Sequence, residues 1–416
     1  MRVALMSAGS RGDVAPYTGL GRALARAGHE VTLVTHGCFA PLVEAAGLGL
    51  HALPVDPRAE LNTERGKALQ NSSTGLGQLK RVGSLARESA ERMAEELVRA
   101  AERADVLLLS SSLGTLGHTI ATGLGLPSRG VYLQPHAPSG AFAPPVVTAG
   151  SWGPTVNRLA GRAVAAAVDS LYVPALRTVR ARLGLPPLGS RAARRIRERQ
   201  DWPVHHGFSP LVVPRPADWR PGLTVDGYWW PYTEPGAELP APVRDFLAAG
   251  PPPVFVGLGS ATLPHPERLA ATFVRALRAA GLRGIVQRGW TGLEAEGDDL
   301  LTVDELPHAA LFPHLAAVVH HAGAGTTAAG LRAGVPAVPV PAWFDAHFWS
   351  ARLTALGVSP GPVPVRRLTA PALAAALRRA TTDPGYRSRA QALAARLREE
   401  DGTAPVVAAV NRLAGA

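Results

Sequence analysis

The sequence predicts an α/β protein of two doubly wound domains, and three observations carry the prediction. Short apolar or β-branched runs alternate with stretches of helical spacing twice, first from residue 3 and again from residue 254. A proline cluster between Pro210 and Pro242 breaks the pattern in the middle. With 416 residues the chain is long enough for two cores, each of a size that is stable without staples. Alternation of this kind puts helices on both faces of a parallel sheet.

In chain order, residues 3–6 read as a buried strand, because the apolar run ends at once in Gly9, Ser10, Arg11, Gly12 and Asp13, unlike the longer apolar stretch of a signal peptide. Residues 16–27 carry Leu and Ala at helical spacing and stop at Gly28, and residues 31–35 are β-branched. A further helix and strand complete the first fifty residues. Then come a polar insertion over 57–80, a long helix at 81–103, a strand at 106–110, a helix at 114–123 and a strand at 129–133. Residues 136–153 hold Pro, Gly, Ala and aromatics without a period and lead into an amphipathic helical stretch over 155–183. That combination suits a loop and helix at a pocket mouth. Beyond the prolines the alternation restarts: a strand at 254–258, a helix at 266–280, strands at 284–286, 300–303 and 318–320, a helix at 326–333 and a strand at 337–340. The expected division is a first domain over 1–215, a linker over 216–241, a second domain over 242–400, and a C-terminal helix within 401–416 able to cross back to the first domain.

Composition removes several classes. Cys38 is the single cysteine, so neither an internal disulfide nor a cysteine-rich zinc module can form, which fits a reducing cytoplasm. No stretch of about 20 residues is free of charges or helix breakers, so no membrane span is expected. The net charge of +11 is nearly all arginine, since Lys67 and Lys80 are the only lysines. Scattered arginines without interleaved aromatics argue against nucleic acid. The run Arg191, Arg194, Arg195, Arg197 and Arg199 leaves peripheral contact with an acidic membrane surface open, against the plainer reading of a solvated helix face.

Ligands of open parallel sheets bind beyond the carboxyl ends of the strands, and the motifs fall there. Gly9 to Asp13 offers a tight turn and a helix N-terminus, which suits an oxyanion or a catalytic carboxylate. Asp13 can equally be a plain helix cap, worth about 1 kcal/mol, and spacing alone does not separate the two. A third glycine and an acidic residue after the second strand, which ends Thr35, His36, Gly37, are both missing, so a dinucleotide fingerprint is not present. Gly257 to Ser260 reads as another turn where backbone can meet a ligand. The most informative segment is His320, His321, Ala322, Gly323, Ala324, Gly325, Thr326, Thr327: a strand end, small residues and a helix start, suited to a diphosphate. Adjacent strand residues point to opposite faces, which argues against His320 and His321 sharing a metal. Asp345 sits among aromatics after the next strand, as a hydrogen-bond acceptor for a sugar or as a cap.

GSRGDVAP, FSP, PRPADW, GYWW, VFVGLGS, HHAGAGTTAAGLRAGVP and FDAHFW, met in this order over nearly the whole chain, resemble the bacterial sterol-glucosyltransferase-like and antibiotic glycosyltransferases of the GT-B fold. The resemblance implies two Rossmann-like domains facing across a cleft. It also implies an inverting, metal-independent transfer from a dTDP- or UDP-sugar to a hydroxyl of a lipophilic polyketide, macrolide or terpenoid-like acceptor, with no cofactor beyond the donor. Asp13 is then the general base. Ser10, Arg11, Gly12, Ser260, His321, Gly323, Ala324, Gly325 and Thr326 are expected around the donor phosphates, Trp290, Val303 and His308 around the nucleoside, and Asp345 on the sugar. His136, Phe142 and Trp152 are expected on the acceptor. Relatives read Gly where Ala322 stands and Asp-Gln where Asp345 and Ala346 stand, so one hydrogen-bonding partner of a glucose-like donor is missing. An unpaired hydroxyl costs roughly 1–3 kcal/mol, which favours a deoxysugar donor, with UDP-glucose still open. The competing reading is a non-catalytic relative that binds or activates a partner enzyme, against which Asp13 and His321 are both present. Monomer and homodimer are both compatible with the sequence.

Overall fold

The computed structural model of the chain describes residues 1–61, 75–342 and 344–415. Two sheets organise it. The first contains β1 (Arg2–Met6), β2 (Glu30–His36), β3 (Gly49–Leu53), β4 (Val106–Leu109), β5 (Ser128–Tyr132), β6 (Val204–His206) and β7 (Leu223–Val225), ordered β3-β2-β1-β4-β5-β6-β7. The second contains β8 (Val254–Gly257), β9 (Gly284–Gln287), β10 (Leu300–Val303), β11 (Ala317–His320) and β12 (Ala337–Pro339), ordered β10-β9-β8-β11-β12. All strand pairings among the described residues are parallel. Strands covered on both faces read as continuous apolar runs, and β4 and β8 are buried at every position.

In each sheet the strand order reverses at the first strand: β1 lies between β2 and β4, and β8 between β9 and β11. A crevice opens at the carboxyl ends of the strands at such a point. The two crevices open into one another and form a single cleft of about 2390 Å³.

The helices of the first half are α1 (Arg11–Arg26), α2 (Ala40–Ala45), α3 (Pro57–Leu61), α4 (Gly75–Ala101), α5 (Gly114–Leu124), α6 (Pro154–Leu171), α7 (Val173–Arg182) and α8 (Ser190–Arg199). Those of the second half are α9 (Ala241–Ala248), α10 (Pro266–Ala279), α11 (His308–Leu311), α12 (Ala324–Ala333), α13 (Ala346–Ala355), α14 (Ala370–Thr382), α15 (Pro384–Arg398) and α16 (Ala404–Ala414).

Four differences from the sequence reading have physical causes. Helix α1 begins at Arg11 and not near Pro16, because the Asp13 carboxylate takes the Ser10 N–H and closes the first turn, and the proline removes only the one backbone bond that its nitrogen cannot donate to Gly12. The stretch 155–183 is two helices bent by 54°, broken where Pro174 opens α7. The segment taken as linker supplies β7, which pairs with β6 inside the first sheet; three-residue strands carry too little alternation to be seen in sequence. In α8, Arg194 and Arg197 turn inward to Asp169 of α6, so the arginine run is not simply a solvated face. The polar insertion over 57–80 falls largely outside the described residues, as does Trp343.

Helix α16 returns to the first domain. Val406 and Val410 are fully buried with Val3, Leu5 and Trp229, the Trp229 indole N–H donates to the Gly402 carbonyl at 2.7 Å, and His29 Nε2 bonds Asn411 Oδ1 at 2.7 Å. A second seam joins the domains through Phe208, Tyr228, Phe348 and Trp349, which belong to one core cluster. Among the described residues no single helix is long and apolar enough to cross a membrane.

Candidate active site in the interdomain cleft

The first wall of the cleft is the turn after β1. Gly9 takes φ +148°, and a Cβ there would stand 2.5 Å from Asp13 Oδ2, so the turn closes only over a glycine. Its N–H donates to His36 Nε2 at 3.0 Å while His36 Nδ1 donates to the Val55 carbonyl at 2.7 Å, which fixes the tautomer. Burial keeps His36 below the usual histidine range and therefore neutral.

Asp13 lies in the first turn of α1. Its Oδ2 accepts from the Ser10 N–H at 2.9 Å and from Ser10 Oγ at 3.0 Å, and its carbonyl accepts from Ser7 Oγ at 2.6 Å. Among the described residues its Oδ1 meets only Gln134 Nε2, at 3.5 Å. The two readings of Asp13 are therefore not exclusive: one oxygen caps the helix, and the other stands on the cleft wall. Burial raises the Asp13 carboxyl above its ordinary value, the Ser10 bonds oppose this, and the nearby charge of Asp345 adds to it.

The opposite wall comes from the turns after β8 and β11. His320 ends β11 buried, its Nδ1 accepting the Ala322 N–H at 3.1 Å, whereas His321 lines the cleft. Gly259 and Gly323 make room for that imidazole: Cβ atoms would stand 2.8 Å from its Cε1 and 2.4 Å from its Nε2 respectively. Burial pushes His321 down to about 4, so the ring is neutral near pH 7. Its Nδ1 has no partner among the described residues, and a buried polar atom on a cleft wall is one that a polar ligand completes. Ala322 carries the turn at φ +63° in place of the expected glycine. Helix α12 then starts at Gly323 without a side-chain cap, which leaves its first N–H groups to the cleft.

Asp345 precedes α13. Its Oδ2 accepts from the Trp349 indole N–H at 2.8 Å, and its carbonyl accepts from the Trp349 backbone N–H at 3.1 Å. Burial raises its carboxyl above the ordinary range. Trp290 donates its backbone N–H to the Gly259 carbonyl at 2.9 Å and lines the cleft. His308 also lines it, stacked on Phe312 with centroids 4.4 Å apart and lowered to about 4 chiefly by burial. Arg11 reaches Glu305 at 2.9 Å, an ion pair between the two domains at the cleft.

The cleft thus brings together Ser10, Arg11, Gly12, Asp13, His136, Ser260, Trp290, His308, His321, Gly323, Ala324, Gly325, Thr326 and Asp345. Three expected residues stand elsewhere. Val303 is buried in the second-domain core, where strand alternation turns it inward, and its neighbours Glu305 to His308 take its place on the wall. Phe142 packs edge-on to Phe348 with centroids 5.3 Å apart, in the seam between the domains. Trp152 is 48% exposed and off the cleft. The apolar mouth is built instead by Val164, Val168 and Leu171 of α6, which its amphipathic period marked only as a stretch, and by Val146 and Val147 of the loop before it. Gln134, also on the wall, carried no motif. His136 stands exposed on the cleft wall, close enough to Asp13 for that charge to act on its ring. Among the described residues no group of three His, Cys, Asp or Glu side chains is placed to hold a metal ion.

Comparison with solved structures identifies the architecture. The glycotransferase of kitacinnamycin superposes with a TM-score of 0.73 at 20% identity, over 99% of this chain and 98% of that one. A Streptomyces sp. SF2575 glycosyltransferase complexed with thymidine diphosphate does so with a TM-score of 0.64 at 23% identity, over 99% of each. Two facing parallel-sheet domains with one shared cleft are the GT-B architecture. Residues 286–413 match the Erythromycin biosynthesis protein CIII-like C-terminal domain, and residues 3–104 match the glycosyltransferase family 28 N-terminal domain. The chain is 37% identical over 413 residues to an O-mycaminosyltylonolide 6-deoxyallosyltransferase of Streptomyces fradiae, covering 97% of this chain and 95% of that one. It is 31% identical over 432 residues to a sterol 3-beta-glucosyltransferase of Arabidopsis thaliana, covering 99% and 68%. The chain is a glycosyltransferase and belongs to the family of these enzymes.

Proposed function

We propose that the enzyme transfers a deoxyhexosyl group from a dTDP-sugar to a hydroxyl of a lipophilic natural-product acceptor, with inversion and without a metal ion. The observation that carries this reading is the arrangement across one cleft of the Asp13 carboxylate and the uncapped N-terminus of α12 beside His321. A base on one side and an anion-binding helix end on the other are what an in-line displacement needs. The acceptor oxygen attacks the anomeric carbon while Asp13 Oδ1 takes its proton, and the bond from that carbon to the diphosphate breaks. Charge that develops on the diphosphate is met by the α12 N–H groups and by His321. The apolar mouth formed by α6 suits a lipophilic acceptor. Support for the donor comes from Ala346, which offers no amide beside Asp345, and from the S. fradiae relative, named for transfer of a 6-deoxy sugar.

A thermal-shift panel with dTDP, UDP, GDP and NAD tests the reading. A ligand at about 100 times its Kd adds about 2.7 kcal/mol of apparent stability. Stabilisation by dTDP above UDP is expected; stabilisation by UDP alone would restore a glucose donor, and no response to any of the four would remove the transferase mechanism.

A further inference from the structure

His36 closes β2, is 2% exposed, and is not among the residues that line the cleft. Any influence it has on the site passes through what it touches. The β1–β2 ladder ends where the Ser7 N–H donates to the Val34 carbonyl at 3.0 Å, after which the chain leaves the sheet for the turn at Gly9. There the His36 ring takes over from the backbone as acceptor, receiving the Gly9 N–H on Nε2 at 3.0 Å. The Val55 carbonyl, 2.7 Å from Nδ1, can only accept, so it holds the proton on Nδ1 and leaves the Nε2 lone pair for a donor. Each ring nitrogen thus has one partner, and Phe39 packs beside the ring with centroids 6.3 Å apart.

The anchored turn is pressed against Asp13. A Cβ on Gly9 would stand 2.5 Å from Asp13 Oδ2 and 2.8 Å from its Cγ. The next N–H, that of Ser10, donates to the same Oδ2 at 2.9 Å. Gly9 is therefore tied to His36 on one side while its neighbour grips the carboxylate on the other. With Oδ2 held, the carboxylate cannot turn over, and Oδ1 is left facing Gln134 on the cleft wall. The Ser10 N–H also opposes the effect of burial and favours the charged carboxylate. The other ionisable groups close to Asp13 are Asp345, His136 and Tyr17, while Asp56 and Glu60 act on His36. Among the described residues no hydrogen bond joins Asp345, His136 or Tyr17 to Gly9 or Ser10.

We infer that His36 is a positioning residue for Asp13: its Nε2 holds the Gly9–Ser10 peptide against the carboxylate and so fixes where the free Oδ1 stands in the cleft. This rests on the glycosyl-transfer reading for what Asp13 does, and adds the buried residue that sets its place.

Two substitutions that do not titrate separate the ring nitrogens. The amide of His36→Gln reaches the place of Nε2 and can accept from Gly9, whereas that of His36→Asn reaches only the place of Nδ1 and keeps Val55 alone. The deciding readout is the titration midpoint of the Asp13 carboxyl, followed by carbon-13 NMR of the full chain labelled at aspartate, with Asp13→Asn marking its resonance. Release of dTDP from dTDP-6-deoxyglucose, with water as acceptor, gives the rate, and isothermal titration gives the Kd of dTDP. His36→Asn is expected to raise the Asp13 midpoint and to slow dTDP release on the order of 10- to 100-fold, with the Kd of dTDP unchanged. His36→Gln should bring the midpoint back and restore most of the rate. An Asn variant with the wild-type midpoint or rate, or a Gln variant that departs as far as Asn does, overturns the inference. Loss of dTDP binding in the Asn variant overturns it as well, by making His36 a general support of the fold. The midpoint is read without donor or acceptor. A wild type that binds neither dTDP nor UDP would overturn the glycosyl-transfer reading, while the midpoints would still decide whether His36 holds Asp13.

Discussion

Asp13 is where position and protonation meet. Replacing it by Asn keeps the shape and the Ser10 contacts but removes the base, so turnover should fall at least ~100-fold, with little change in dTDP binding by titration. Its carboxyl is raised by burial and by Asp345, and a base works only when deprotonated. The acid limb of kcat/KM should therefore lie above the ordinary aspartate value and activity should be lost as pH falls through it. Ser10→Ala deletes one of the hydrogen bonds that hold the carboxylate charged, so the same limb should move to higher pH. A pH profile of kcat/KM for the two proteins checks the direction. Asp13 was legible because a glycine turn, a carboxylate and a helix start follow one another in the chain. Gln134 and His36, which touch Asp13 and its turn, were not, because their roles depend on β2 lying beside β1 and on β5 lying one strand further along, beyond β4.

At the level of elements, the start of α12 sets the phosphate side of the site. Gly323 has φ −67°, so alanine there meets no backbone penalty, although as a helix N-cap it costs roughly 0.5–1 kcal/mol relative to glycine. Its Cβ would nevertheless stand 2.4 Å from His321 Nε2, so the imidazole must move. Gly323→Ala is expected to weaken dTDP binding by roughly 10-fold with melting nearly unchanged, a loss of about 1.4 kcal/mol read by titration. Gly259→Ala meets the same ring at 2.8 Å and is also forced to φ +57°, a strain of about 1–2 kcal/mol, so it should lose both binding and stability. The helix and its glycines stood out in sequence because turn chemistry is local. Strands β6 and β7 did not, since each has three residues and is defined by its neighbour in the sheet. The break between α6 and α7 belongs to the same class: Pro174 is visible, but the direction of the bend is decided by what the helices cover.

For the whole molecule, the separation into two domains is complete in the sheets but not in the chain. Helix α16 follows the second domain in sequence and packs on the first, with Val406 and Val410 fully buried among Val3, Leu5 and Trp229. The Phe208 and Trp349 seam, with ring centroids 6.3 Å apart, ties the domains a second time. The Arg11–Glu305 pair adds little, because both side chains are well exposed, 42% and 54%, and exposed pairs are worth at most about 1 kcal/mol. Cooperative unfolding of both domains should therefore depend on apolar contacts and not on that ion pair. Calorimetry is expected to show one dominant transition for the full chain and for Arg11→Ala. Removing residues 401–416 exposes the face that α16 covers, so the first domain should melt earlier and the trace should resolve into two transitions. Val410→Ala, which leaves the helix in place but empties part of its core contact, should lower stability by roughly 1–2.5 kcal/mol without splitting the trace. A truncated chain that still melts in one step would mean that the Phe208–Trp349 seam alone couples the domains.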